Sequence, residues 1–142
     1  GEHGDSEFAL WSEAKIGPVR LSDWKVGGRS PLSSNELDEI ALSVKNAAYK
    51  VIEGKGATNY AIGLSAARIV EAILKDESVI LPVSSVLNDY LGVSDVALSV
   101  PTIVNRRGAD KTIEIDLNEV ELAKFKASTE ALKSAIASLG LN

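Results

Sequence analysis

From residue 33 onward the apolar positions fall into a helical rhythm, with Leu37, Ile40, Ala41, Val44, Ala47, Ala48, Val51 and Ile52 recurring three and four apart. Side chains at that spacing share one face, so the pattern predicts a long amphipathic helix. Ser33 and Glu36 are placed as its capping box, and Gly54 and Gly56 as its stop. A second helix is predicted from near Thr58 to residues 75–77, with Ile62, Ala66, Ile69, Val70, Ile73 and Leu74 on one face. Richness in β-branched residues then predicts three strands: SVILPVSSVL (78–87), VALSVPTIV (96–104) and KTIEIDL (111–117). Turn signals at Asn88-Asp89 and Arg107-Gly108 separate them, and Pro82 and Pro101 point to edge strands or irregularities in the first two. A closing helix has Asn118 and Glu121 as its box, Leu122, Phe125, Leu132, Ile136 and Leu139 as its stripe, and Gly140 as its stop.

The front of the chain lacks such rhythm. Residues 1–12, GEHGDSEFALWS, mix glycine and acids with Phe8, Leu10 and Trp11, so part of this turn-rich segment calls for burial. Residues 15–34, KIGPVRLSDWKVGGRSPLSS, read as loop with a brief strand at 19–21. Loop, two helices, a run of strands and a last helix lack the alternation of a parallel sheet, which makes the fold class α+β. No internal repeat is present. VGGRS does not follow a convincing strand and GKGAT lies between helices, so neither reads as a phosphate-binding loop.

Composition narrows the class. The 142 residues fit one domain, long enough to bury roughly 68–70% of the surface exposed by the unfolded chain. A hydrophobic share of 45% with 25% charged residues is that of a globular, soluble protein. No apolar run approaches a spanning helix and no signal peptide is visible, so a membrane is not an expected partner. The net charge of -5 and the isolated Arg106-Arg107 pair argue against nucleic acid. The absence of cysteine suits a reducing cytoplasm. Methionine is absent as well, so the chain is expected to be a piece of something longer or a processed product.

His3 is the one histidine, and an imidazole's ordinary pKa of about 6.5 suits proton transfer near neutrality. A lone histidine near a terminus also reads as surface decoration. A metal site made with Glu2 and Asp5 matches no familiar ligand spacing, and a nucleophilic Ser6 would need triad partners from separate elements. A general acid whose orienting carboxylate and substrate clamps lie elsewhere is physically easiest, with Gly1 and Gly4 allowing close backbone approach. Thr58 reads as a helix N-cap, or as a hydroxyl able to contact a small carboxylate substrate at a helix N-terminus. Arg68 reads as an edge residue whose stem covers the core.

Taken in order, GEHGDSEFALWS, IGPVRL, NAAYKVIEGKGATNYAIGLSAARIVEAIL, LPVSSVL, LSVPTIVNRRG and the closing helix resemble the C-terminal, substrate-binding part of bacterial NAD-dependent L-lactate dehydrogenases. The resemblance runs from Gly1 to Asn142 and implies a mostly antiparallel twisted sheet packed with long helices. It makes His3 the proton donor and acceptor for pyruvate and L-lactate, Thr58 a wall of the substrate pocket, and Ile62 a surface for the nicotinamide of NAD. It also implies a cytoplasmic enzyme of glycolysis and fermentation, assembled as a homo-oligomer, a tetramer in the family. Pro18 and Arg20 depart from the family's usual Gly and Pro. Malate dehydrogenases resemble the chain less at GEHGDS and GKGATNYAIG, while enzymes for bulkier 2-hydroxy acids share much of the pattern.

The dinucleotide domain, the mobile specificity loop, the substrate-clamping arginine and the aspartate that orients the histidine lie upstream in the family and are absent from these 142 residues. The isolated chain is therefore expected to be inactive. A different class of reading is a non-catalytic piece that acts only in assembly through an exposed apolar face.

Overall fold

The computed structural model describes residues 1–25, 27–28 and 32–140. Part of VGGRS and of the loop 15–34, and the last two positions of the domain, lie outside the described residues. After a 3-10 turn at Trp11–Glu13, strands β1 (Lys15–Ile16) and β2 (Val19–Arg20) form a small hairpin, where the brief strand was expected. Helices α1 (Ser34–Lys45), α2 (Ala47–Lys55) and α3 (Tyr60–Leu74) follow, then strands β3 (Val79–Val86), β4 (Ala97–Asn105) and β5 (Gly108–Thr112), and finally α4 (Glu119–Ser138). Both sheets are antiparallel, and the larger has the order β3-β4-β5.

Both capping boxes form. Ser33 Oγ accepts the N–H of Glu36 while the Glu36 carboxylate accepts the N–H of Ser33, and Asn118 and Glu121 do the same for α4. The single long helix predicted from Ser33 is two helices, broken at Asn46. Gly54 lies within α2, and Gly56 alone ends it, with φ 85°, a left-handed value that a side chain disfavours. Thr58 is not the N-cap of α3. Asn59 holds that position, and its Oδ1 accepts from Lys55 Nζ at 2.6 Å, so its side chain makes no capping bond.

Burial on β4 alternates as a half-buried strand should: Leu98, Val100, Thr102 and Val104 face the core. Leu98 and Val100 pack with Leu87, Tyr90, Val96 and Phe125, and the rings of Tyr90 and Phe125 lie 5.8 Å apart at a 57° tilt. Such a pair contributes about 0.5–1.5 kcal/mol beyond the area it buries. Phe8 packs on the same cluster, so the front segment is anchored as its apolar residues required.

The proline expectation of edge strands or irregularities is met in both ways: β3 is an edge strand, and β4, which is central, shifts register against β5 between Ile103 and Val104. Pro101 is tolerated there because its backbone faces the β5 side just beyond Thr112, where the ladder has ended. The predicted third strand is displaced accordingly. Pairing covers Gly108–Thr112, while Ile113, Ile115 and Leu117 keep the alternating burial without the ladder.

The helical faces were partly misread. None of α1 or α2 is buried among the described residues, and Ile40, Val44, Val51 and Ile52 stand exposed. On α3 the buried residue is Ala72, with Ile62, Val70 and Leu74 exposed. Arg68 is a half-exposed edge residue, paired with Glu77 at 2.6 Å. On α4, Phe125 is buried as expected and Leu139 is 74% exposed, while the buried face also carries Glu121, Ser128 and Thr129. No helix of the described residues is long and apolar enough to cross a membrane.

Candidate active site

Gly1 extends the sheet where β5 has left it. Its N–H donates to Ser99 O and its carbonyl accepts from Ser99 N, both at 3.0 Å, a reciprocal strand-like pair on β4. The chain then turns through His3, with Glu7 N donating to Gly4 O at 3.1 Å. A Cβ on Gly1 would lie 2.8 Å from Ser128 Oγ, so glycine is what lets this backbone lie against α4.

Four further sets of contacts hold the segment. Glu2 N donates to Ser128 Oγ at 2.7 Å. The Glu2 carboxylate turns back to accept from Ser6 Oγ at 2.6 Å and Ser6 N at 3.1 Å, and these bonds, the hydroxyl's first, hold its pKa below the ordinary value. Farther along, Ser12 donates through its N–H (3.0 Å) and its hydroxyl (2.5 Å) to the carboxylate of Glu121, which is 5% exposed. Burying that charge is tolerable because donors meet both its oxygens in the first turn of α4, where the helix dipole favours an anion. From the other side, Lys45 of α1 donates to Asp5 O at 2.5 Å.

Held in this way, the segment projects His3 outward, with its side chain 96% exposed. Nδ1 lies 3.4 Å from Glu7 Oε2, too long for a strong hydrogen bond, and Nε2 has no partner among the described residues. His3 stands on the rim of a mostly apolar cleft of about 1020 Å³, lined also by Phe8, Trp11, Ile40, Val44, Ile62 and Tyr90. Small-molecule sites are commonly concave, apolar and supplied with a few polar groups, and here Glu2, His3, Glu7, Ser65, Ser84 and Ser99 fill that role.

The structure therefore brings His3 and Ile62 to one cleft. Thr58 is half-buried in the link between α2 and α3 and is not among the residues lining that cleft. The sequence reading missed Ser128, whose only signal is a serine in mid-helix, and gave Glu121 a capping role without its second one as the anchor of Ser12.

An antiparallel sheet crossed by a helix-held loop, with one exposed imidazole at the mouth of a mostly apolar cleft, is the geometry of the site. Residues 1–140 match the lactate/malate dehydrogenase, alpha/beta C-terminal domain, and the chain belongs to that family. It is 52% identical over 141 residues to the L-lactate dehydrogenase of Bifidobacterium animalis subsp. lactis (strain AD011), covering 99% of this chain and 44% of that protein. Among solved structures, the minor L-lactate dehydrogenase of Enterococcus mundtii in its ligands-bound form superposes with a TM-score of 0.90 at 41% identity, over 97% of this chain and 44% of that one. The malate dehydrogenase of Aeropyrum pernix gives 0.86 at 29% identity, again over 97% of this chain and 44% of that chain. The chain thus spans less than half the length of the relatives it matches.

Proposed function

We propose that this chain is the substrate-domain part of an NAD-dependent L-lactate dehydrogenase, in which His3 passes a proton to and from the oxygen of pyruvate and L-lactate. The observation that carries the reading is the placement of His3 and Ile62 on one cleft, in a chain 52% identical to an L-lactate dehydrogenase. Nδ1 of His3 faces Glu7, so Nε2 is the nitrogen left to donate to the carbonyl oxygen and to take the proton back in the reverse direction. In the protonated state the imidazolium also places positive charge where the substrate oxygen becomes an alkoxide.

The residues present suit the nicotinamide end of the cofactor. Ile62, 61% exposed on α3 and facing the cleft that His3 lines, offers the flat apolar surface such a ring would lie against. When bound, NADH supplies the hydride. A phosphate cradle is not found in this sequence, so the dinucleotide domain upstream is the partner that completes the site. Thr58, four residues before Ile62, is assigned to the wall of the substrate pocket once that part is in place. The 142-residue chain alone is inactive in this reading, because it lacks a hydride source.

A homo-oligomer, a tetramer in the resemblance, fits the open apolar face of α1 and α2, and a cytoplasmic location fits the cysteine-free composition. Malate or another 2-hydroxy acid is the second reading, favoured by the backbone likeness to a malate dehydrogenase. In the full-length protein, His3→Gln lowers pyruvate reduction by roughly 10²–10⁴-fold while NADH still binds. Wild-type turnover by that variant overturns the assignment of His3, and oxaloacetate outrunning pyruvate in the unaltered protein decides for malate.

A further inference from the structure

We infer that Ser128 is a positioning residue for His3, an inference that rests on reading His3 as the proton donor. Serine is a middling helix former that competes for backbone groups, yet Ser128 sits midway along the twenty residues of α4 with no exposed surface. A buried helical hydroxyl commonly bonds back to the carbonyl four residues earlier. Thr129 does so, donating to Phe125 O at 3.0 Å. Ser128 instead reaches off its helix to the loop that carries the imidazole.

Counting protons shows what it does there. Each hydroxyl has one proton to give. Ser6 spends its own on the Glu2 carboxylate, the shorter contact at 2.6 Å and the stronger because the acceptor is charged. The two serine oxygens, 3.0 Å apart, are then joined by the proton of Ser128. Ser128 in turn accepts the N–H of Glu2 at 2.7 Å. A closed circuit results: Glu2 N–H to Ser128, Ser128 to Ser6, Ser6 to the Glu2 carboxylate. His3 lies between its two loop members in sequence.

The circuit matters because the imidazole has little other support. Its one polar partner among the described residues is Glu7 at 3.4 Å, and its side chain is 96% exposed. The direction of the ring is set by the backbone at Glu2 and Gly4, and Ser128 fixes that backbone at Glu2. Glu121, seven residues earlier and thus on the same face of α4, fixes the far end through Ser12. One helix face thereby grips both ends of residues 2–12.

The test uses the full-length protein. Ser128→Ala leaves Glu2 N–H without its acceptor, and kcat for pyruvate reduction falls by roughly tenfold to a hundredfold, the cost of a displaced catalytic group, with KM for NADH unchanged. Thr129→Val removes the neighbouring buried hydroxyl but touches nothing in the loop, and kcat stays at the wild-type level. Ser6→Ala opens the same circuit at a half-buried position and lowers kcat in the same direction, so the outcome does not depend on Ser128→Ala folding. Normal kcat in both serine variants overturns the inference, as does an equal loss in Thr129→Val. A parallel His3→Gln variant separates the two ideas: if it is inactive while the serine variants are normal, only the positioning role fails, and if it turns over, the reading of His3 fails.

Discussion

Removing the hydroxyl of Tyr90 should destabilise the protein by about 1–2 kcal/mol, and restoring one N–H on the central strand should cancel most of that loss. Ile113 N donates to Pro101 O at 2.8 Å. In an antiparallel pair of this kind the partner's N–H returns the bond, but proline has none. The carbonyl of Ile113 is served instead by the Tyr90 hydroxyl at 2.9 Å. Tyr90 is 3% exposed, and burial pushes its pKa up, so it stays protonated and keeps donating. Tyr90→Phe keeps the ring against Phe125 and leaves a half-buried carbonyl unpaired. A net hydrogen bond is worth about 1 kcal/mol and an unsatisfied acceptor about 1–3 kcal/mol, which sets the figure given. Pro101→Val supplies the missing N–H, so Tyr90→Phe on that background should cost under about half a kilocalorie per mole, a coupling of about 1 kcal/mol. The assay is equilibrium urea unfolding of the four proteins of the cycle in full-length form. Equal costs of Tyr90→Phe on both backgrounds would refute the reasoning.

Two glycines at the end of α2, Gly54 within it and Gly56 as its cap, should respond with opposite signs. Gly54→Ala, in the exposed last turn of the helix with open space around it, stabilises by about 0.5–1 kcal/mol, whereas Gly56→Ala, at φ 85°, destabilises by about 1–2 kcal/mol. Thermal denaturation reads both, and shifts of the same sign would contradict the helix boundary. The Glu2 carboxylate titrates below its ordinary value of 4.5 because Ser6 donates to it, so its contribution to loop docking is complete above that pH and is lost as pH falls through the lower, folded value. Hydrogen exchange across residues 1–12, corrected for the intrinsic rate, should therefore accelerate on acidification below about pH 4.5 in the wild type and show no such step in Glu2→Gln. A step of the same size in both proteins would assign it to another group.

The parts of the fold that could be read in advance are those set by neighbours in sequence. Ser33 with Glu36 and Asn118 with Glu121 are three residues apart, and both boxes formed where the residues stood. The β-branched run KTIEIDL likewise marked an extended segment, in which Ile113, Ile115 and Leu117 turn inward, though the ladder gave out at Thr112. What escaped was set by partners far along the chain. Ser128 is buried because Glu2 lies 126 residues away to meet it, and Glu121 because Ser12 lies 109 away. An apolar stripe can be counted along one helix, but a polar residue is worth burying only if a distant donor or acceptor arrives, which no local period encodes. The same limit explains the exposed faces of α1 and α2. Their amphipathic pattern was genuine, but an apolar stripe does not state whether its cover comes from the same stretch of chain, and here the described residues leave it open. The candidate site divides along this line too: His3 stood out as a residue type and takes its proposed role from the resemblance, while the polar circuit around it became visible only when α4 and the first residues of the chain lay side by side.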